Sequence, residues 1–180
     1  MRNLVRALRV LTAFCLMWTI VLVAPPTAAA APFCGITWGS GEKSRWTEPE
    51  SVIRGVRAGQ HDCYDRLVVD FTGYAGQDFQ VRYQDHIFDF LTWQNITLRG
   101  GAYLEVLLDS DNGQFADPAT RTELVDVGAY RTFRQIAYAG EHRAGSYLAL
   151  GVRARLPFRA FVLQAPGQPT RLVVDVAHQW

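Results

Sequence analysis

Arg66–Phe71 reads RLVVDF and Arg171–Val176 reads RLVVDV, a near-repeat of six residues. In an extended chain alternate side chains point to opposite faces. Leu67, Val69 and Phe71 then make one apolar face, and Leu172, Val174 and Val176 make another. The opposite faces carry Arg66, Val68 and Asp70, and Arg171, Val173 and Asp175. Within one strand the Arg and the Asp stand roughly 13 Å apart at about 3.3 Å per residue, too far to pair with each other. If the two strands run antiparallel with Val68 opposite Val173, Arg66 faces Asp175 and Asp70 faces Arg171. Opposite charges across a strand pair are favourable. The alternative is that each acid meets another basic group or solvent.

Working outward, similar short runs recur between turn residues. They are Ser51–Arg57, Phe79–Gln84, Tyr103–Leu108, Thr132–Tyr138, Tyr147–Val152 and Phe158–Leu163, rich in Val, Ile, Phe and Tyr. Gly-, Asn-, Asp- and Pro-bearing stretches separate them, among them Gly100-Gly101, Asp109–Gly113 and Ala165–Pro169. With the two hexapeptide strands this gives an all-β chain, a sandwich or a barrel. The clearest helical candidate is Pro118–Leu124, a turn or two opened by Asp117 as cap. Asp85–Gln94 (DHIFDFLTWQ) suits a strand nearly as well as one short helix.

The chain has 180 residues, and its N-terminus has three parts. Met1–Arg9 carries three arginines and no acid, Val10–Val23 is apolar, and Ala24–Ala31 is small and proline-broken. This is the layout of a secretory signal over residues 1–30 with an A-x-A cleavage site. The apolar run of 14 residues is short of the ~20 that span a bilayer, so no stable membrane span is expected after cleavage. Removing Arg2, Arg6 and Arg9 turns 18 basic and 17 acidic residues into 15 and 17, a charge of −2. No basic stripe survives, which argues against nucleic acid. Cys15 leaves with the signal, so Cys34 and Cys63 remain. An even count in an oxidising compartment reads as a disulfide; a zinc site with His61 as third ligand is the other possibility. Residues 31–50 read as an irregular arm and 51–180 as one domain.

The pattern R-L-V-V-D, best seen in Phe158–Val176 (FRAFVLQAPGQPTRLVVDV), resembles the AMIN domain. The ordered set FCGITWGS, GQHDCYDRLVVDFTGY, GGAYLEVLL, LGVRARLPFRAFVL and TRLVVDVAH is closer to the AMIN-like domain of secreted actinobacterial proteins and lipoproteins. It spans most of residues 33–178, and the positions of Cys34 and Cys63 match. The resemblance implies a β-sandwich of two antiparallel sheets. It also implies a cell-envelope role, with peptidoglycan the usual ligand of AMIN domains proper and no established activity for the AMIN-like family. The apolar, aromatic Asp85–Gln94 departs from the polar loop expected there.

No HExxH, GxSxG, P-loop or GxGxxG motif is present. Ser40 in WGSG lacks a strand–turn–helix context, and His61, His86, His142 and His178 are scattered singly. Asp109–Gly113 hints at a calcium loop, but its Gly is fifth and Thr120 stands at the twelfth position; a hairpin turn led by Asn-Gly fits better. Asp70 and Asp175 are the formal carboxylate pair for a glycosidase, yet the Arg beside each marks a neutralised structural acid. No catalytic residue, cofactor or metal is therefore expected. Glycan binding asks for exposed aromatics and planar polar groups. Trp38, Trp46 and Trp93, with Arg82, Arg153 and Arg155, are the candidates, because these tryptophans fall outside the apolar alternation. The expectation is an exported, non-catalytic envelope module that binds wall glycan. A protein-interaction module using an apolar patch over Ile87–Trp93 is the second reading, and a minor hydrolase the third.

Overall fold

Val- and Phe-rich alternation produces the strands where it is strongest and extends them by a few residues at their ends. The structure, a computed structural model, describes residues 32–46, 52–72, 78–110, 115, 117–143 and 145–180. These belong to one compact unit, Pro32–Trp180. The segment read as a secretory signal and the Asn-Gly turn at 112–113 lie outside the described residues.

The strands in chain order are β1 (Lys43–Arg45), β2 (Ile53–Gln60), β3 (Tyr64–Phe71), β4 (Phe79–Gln84), β5 (Ile87–Asp89), β6 (Gln94–Ile96), β7 (Ala102–Asp109), β8 (Phe133–His142), β9 (Gly145–Val152), β10 (Phe158–Ala165) and β11 (Gln168–Ala177). One sheet has the order β1-β4-β7-β9-β8, the other β10-β11-β3-β2, and β5-β6 form a separate ribbon. Every pairing is antiparallel. The fold is a β-sandwich. Leu67, Val69 and Phe71 of β3 and Leu172, Val174 and Val176 of β11 meet Val81, Leu104, Val106, Leu148, Leu150 and Tyr138 of the facing sheet in one buried core. Each such side chain taken from water contributes about 1.5–3 kcal/mol, which makes this interface the main source of stability.

The two hexapeptides are neighbours. Strands β3 and β11 pair with Val68 opposite Val173, Arg66 opposite Asp175 and Asp70 opposite Arg171. The ion pairs only half follow that register. Arg66 holds Asp175 by two hydrogen bonds of 2.6 and 2.9 Å. Asp70 does not bond Arg171; Arg57 of β2 takes both its oxygens, at 2.8 and 3.1 Å. A diagonal neighbour on the adjacent strand takes the acid in place of the directly opposed one, through a two-pronged contact.

The irregular arm carries one short strand: β1 lies at the sheet edge beside β4, and Gly39 bridges Phe158. One expectation needs correction: residues 118–124 do not form a helix. Asp117 does cap a turn, its carboxylate accepting from the Ala119 amide at 2.9 Å. The chain then bonds to β8 instead, with Leu124 N donating to Ile136 O and Tyr138 N to Arg121 O. Satisfying the open edge of β8 outweighs one more helical turn. The ambiguous Asp85–Gln94 becomes strand and turn, β5 leading into the tight connection to β6.

Candidate functional site

Small residues decide where the site forms. On the outer face of the five-stranded sheet, β8 and β9 present Ala137, Ala139 and Ala149, and onto these the β5–β6 ribbon packs through Ile87 and Ile96, with Leu98 just beyond β6, to form a second, small core. The Phe90 amide donates to the Ala139 carbonyl at 2.8 Å. Gly140, at φ 96°, takes a backbone conformation that side chains resist, and a Cβ there would press on Phe90 and Leu91. Asp89 is fully buried and pairs with Arg121 at 2.8 Å. Burial alone would raise its carboxyl, but the Leu91 amide and Arg121 outweigh that and hold it below the usual carboxylate range.

This clamp fixes a cluster of rings. Phe90 lies 4.4 Å from Tyr147 and stacks on His142 at 5.0 Å between centroids. Trp93 meets His142 edge-on at 6.1 Å and touches Phe88 and Phe90. Beside them a recess of about 330 Å³ is lined by Trp46, Leu107, Asp109, His142, Arg143 and Tyr147. Trp46 is 57% exposed and Trp93 66%. Polar groups adjoin the rings: Arg82 pairs with Glu105 at 2.9 Å, and Gln84 donates to the same carboxylate oxygen. Burial raises the Tyr147 phenol, and Glu105 raises it further. Exposed flat rings next to a guanidinium, a carboxylate and an amide can take a ligand with both apolar faces and hydroxyl edges.

The structure therefore divides the six candidates. Trp46, Trp93 and Arg82 share this face. Trp38 does not: it is half-buried on the other sheet, its indole donating to the Phe33 carbonyl while Arg159 covers its ring. Arg153 donates to the His178 carbonyl, and Arg155 lies over Tyr83 at 4.8 Å, beyond the end of β9. Sequence reasoning missed His142 and Tyr147 as site residues, while Phe90 fell within the Ile87–Trp93 patch of the second reading. The spacing Tyr147-x-Ala149-x-Gly151 was a usable signal, since small residues on an outward face invite a cover. Of the apolar stretch, Ile87 is buried, Phe88 and Phe90 are half-buried, and Leu91 and Trp93 are exposed.

Cys34 and Cys63 are joined as a disulfide. No group of three His, Cys, Asp or Glu side chains placed to hold a metal exists among the described residues, and none of their helices is long and apolar enough to cross a membrane. Asp175 is buried under Arg66 and Arg159, and Asp70 is held by Arg57. Both ring nitrogens of His178 are engaged, Nδ1 with the Asp62 carbonyl and Nε2 with Asp65. Asp65 also accepts the Thr132 and Phe133 amides, tying β3 to the start of β8.

A sequence model of the AMIN-like domain matches residues 51–178. No curated protein matches the chain.

Proposed function

The chain belongs to the AMIN-like domain family, and from that membership we propose that it is an exported, non-catalytic module of the cell envelope that holds wall glycan, peptidoglycan or a related polymer. Membership points to an envelope-related module. The signal-like segment 1–30 and the disulfide support export, since disulfides persist in oxidising compartments. The single observation that carries glycan as ligand is the recess on the outer face of the five-stranded sheet. Trp46 and His142 line it, exposed Trp93 packs edge-on against His142, and Arg82, Glu105 and Gln84 lie on the same sheet face. Ring faces stack on the apolar faces of sugars, and the polar groups take hydroxyls. The carboxylates that a hydrolase would need are spent on arginines, which favours binding over cleavage.

Co-sedimentation with purified peptidoglycan tests this. The full chain should pellet with the polymer. Trp46→Ala with Trp93→Ala should stay in solution with its thermal unfolding unchanged, because both side chains are exposed. Arg153→Ala with Arg155→Ala should pellet as the wild type does. Equal binding by the tryptophan variant would sink the reading. The second reading, a protein-interaction module, is favoured by one observation: Leu91 and Trp93, 42% and 66% exposed, sit together at the ribbon's turn. It predicts that Leu91→Ser abolishes capture of an envelope protein while peptidoglycan binding is absent throughout.

A further inference from the structure

The outer face of the four-stranded sheet carries a separate recess, and we propose that it is an oxyanion site, taking a carboxylate or a phosphate group, built around Arg171. The inference does not rest on the aromatic recess, which lies on the other sheet. Register lays the face out as a grid. Arg57, Val68, Val173 and Phe161 form its middle row; Arg66, Asp175 and Arg159 lie to one side, Asp70, Arg171 and Leu163 to the other. Val68 and Val173 are buried beneath the arginine stems and make an apolar floor. The recess has a volume of about 230 Å³, and Arg57, Arg66, Arg171 and His61 supply its polar walls. The grid holds four arginines and two aspartates, an excess of two positive charges.

The distribution of that excess identifies the centre. Asp175 is shared by Arg66 and Arg159, and Asp70 is taken at both oxygens by Arg57. Arg171 stands directly opposite Asp70 but among the described residues is left with only the Gln168 amide oxygen, at 3.0 Å from Nη2. Its Nε is buried and meets no acceptor among the described residues. A buried N–H without a partner is unfavourable until an acceptor arrives. Arg57 commits one Nε and one Nη2 hydrogen to Asp70 and keeps three, whereas Arg66, whose Nη2 serves both Asp175 and the Tyr64 hydroxyl, keeps Nη1. A guanidinium fork matches two oxygens carried on one atom, as a carboxylate or a phosphate presents, which a neutral sugar hydroxyl or a chloride does not supply. Entry of the anion displaces the Gln168 side chain and lets Arg171 present Nε and Nη2 together.

The test is a titration of the ¹⁵N-labelled full chain with sodium phosphate and, separately, sodium acetate, at constant ionic strength balanced with sodium chloride. The Arg171 Nε–Hε signal should shift saturably with one or both, and the tighter anion identifies the source as phosphate or carboxylate. Arg171→Lys, which keeps the charge and loses the fork, should weaken binding about tenfold; Arg153→Lys should leave it unchanged. Gln168→Glu, at an exposed position, hands Arg171 an internal carboxylate and should abolish binding even if the lysine variant fails to fold. Absence of a saturable shift with both anions, the same shift with chloride alone, or wild-type binding by Gln168→Glu would overturn the proposal.

Discussion

Asp70 and Asp175 occupy the same place in two copies of one hexapeptide, and their surroundings differ. Asp175 has no exposed side-chain surface and lies under two guanidinium groups. Asp70 is 26% exposed and its partner Arg57 is 55% exposed. Breaking a buried pair strands charge in low dielectric, whereas an exposed pair is screened by water. Asp175→Asn should therefore cost about 2–4 kcal/mol and Asp70→Asn less than about 1 kcal/mol, read from urea unfolding; equal costs would contradict the assignment. The repeat made the strands and their register legible, because it placed complementary charges at matching positions. It did not show which arginine each acid would take, since that depends on β2 lying beside β3. A second residue-scale prediction concerns Tyr83. Its phenol donates to the Leu156 carbonyl at 2.6 Å, and burial pushes it from 10.0 up to about 12. A raised pKa favours the protonated form in the fold, so this contribution is intact below the unfolded value and fades as pH climbs from about 10 toward 12. Absorbance titration at alkaline pH should show a tyrosine ionising toward about 12, coincident with loss of stability, and Tyr83→Phe should remove that component.

At the scale of elements, the β5–β6 ribbon is the piece that sequence patterning could not resolve. Its strands are three residues each, too short for periodicity to separate strand from helix, and it covers an outward sheet face where polar residues are the rule. The reason it can do so lies on its host, in alanines and glycines of β8 and β9 rather than in its own sequence. Gly151 is the sharpest instance: a Cβ there would run into the Arg99 carbonyl. Gly151→Ala should cost at least about 2 kcal/mol, as overpacking against backbone does, whereas Gly167→Ala, with open space around it but φ 72°, should cost about 1 kcal/mol or less from backbone strain alone. The ribbon should also answer to acid. Asp89 titrates below the usual range, so its contribution is present above 3.8 and lost as pH falls through the folded value. Trp93 fluorescence should report loosening of the ribbon in that acid window, and Asp89→Asn should show the loosened signal at neutral pH.

Across the whole molecule, the match to the AMIN-like domain begins at residue 51, yet residues 32–46 supply Cys34, the edge strand β1 and Trp46. The arm is thus part of the candidate site as well as of the sandwich. The disulfide closes a loop between positions 29 apart, and removing it with Cys34→Ser and Cys63→Ser should cost roughly 3 kcal/mol, measured by denaturant unfolding. The even cysteine count made that bond legible, and the alternating runs made the two-sheet class legible. The placing of Trp46 and Trp93 on one sheet face with His142 was not, because it is set by pairing across β1, β4, β7 and β9 and by the ribbon's fold-over, none of which leaves a local pattern. The most direct measurement uses the indole N–H signals of the full chain during titration with a soluble disaccharide-peptide fragment of peptidoglycan. Saturable shifts at Trp46 and Trp93, with Trp38 and Trp180 unmoved, are the expected result. Shifts at Trp38 or Trp180 instead, or none at any indole, would contradict it.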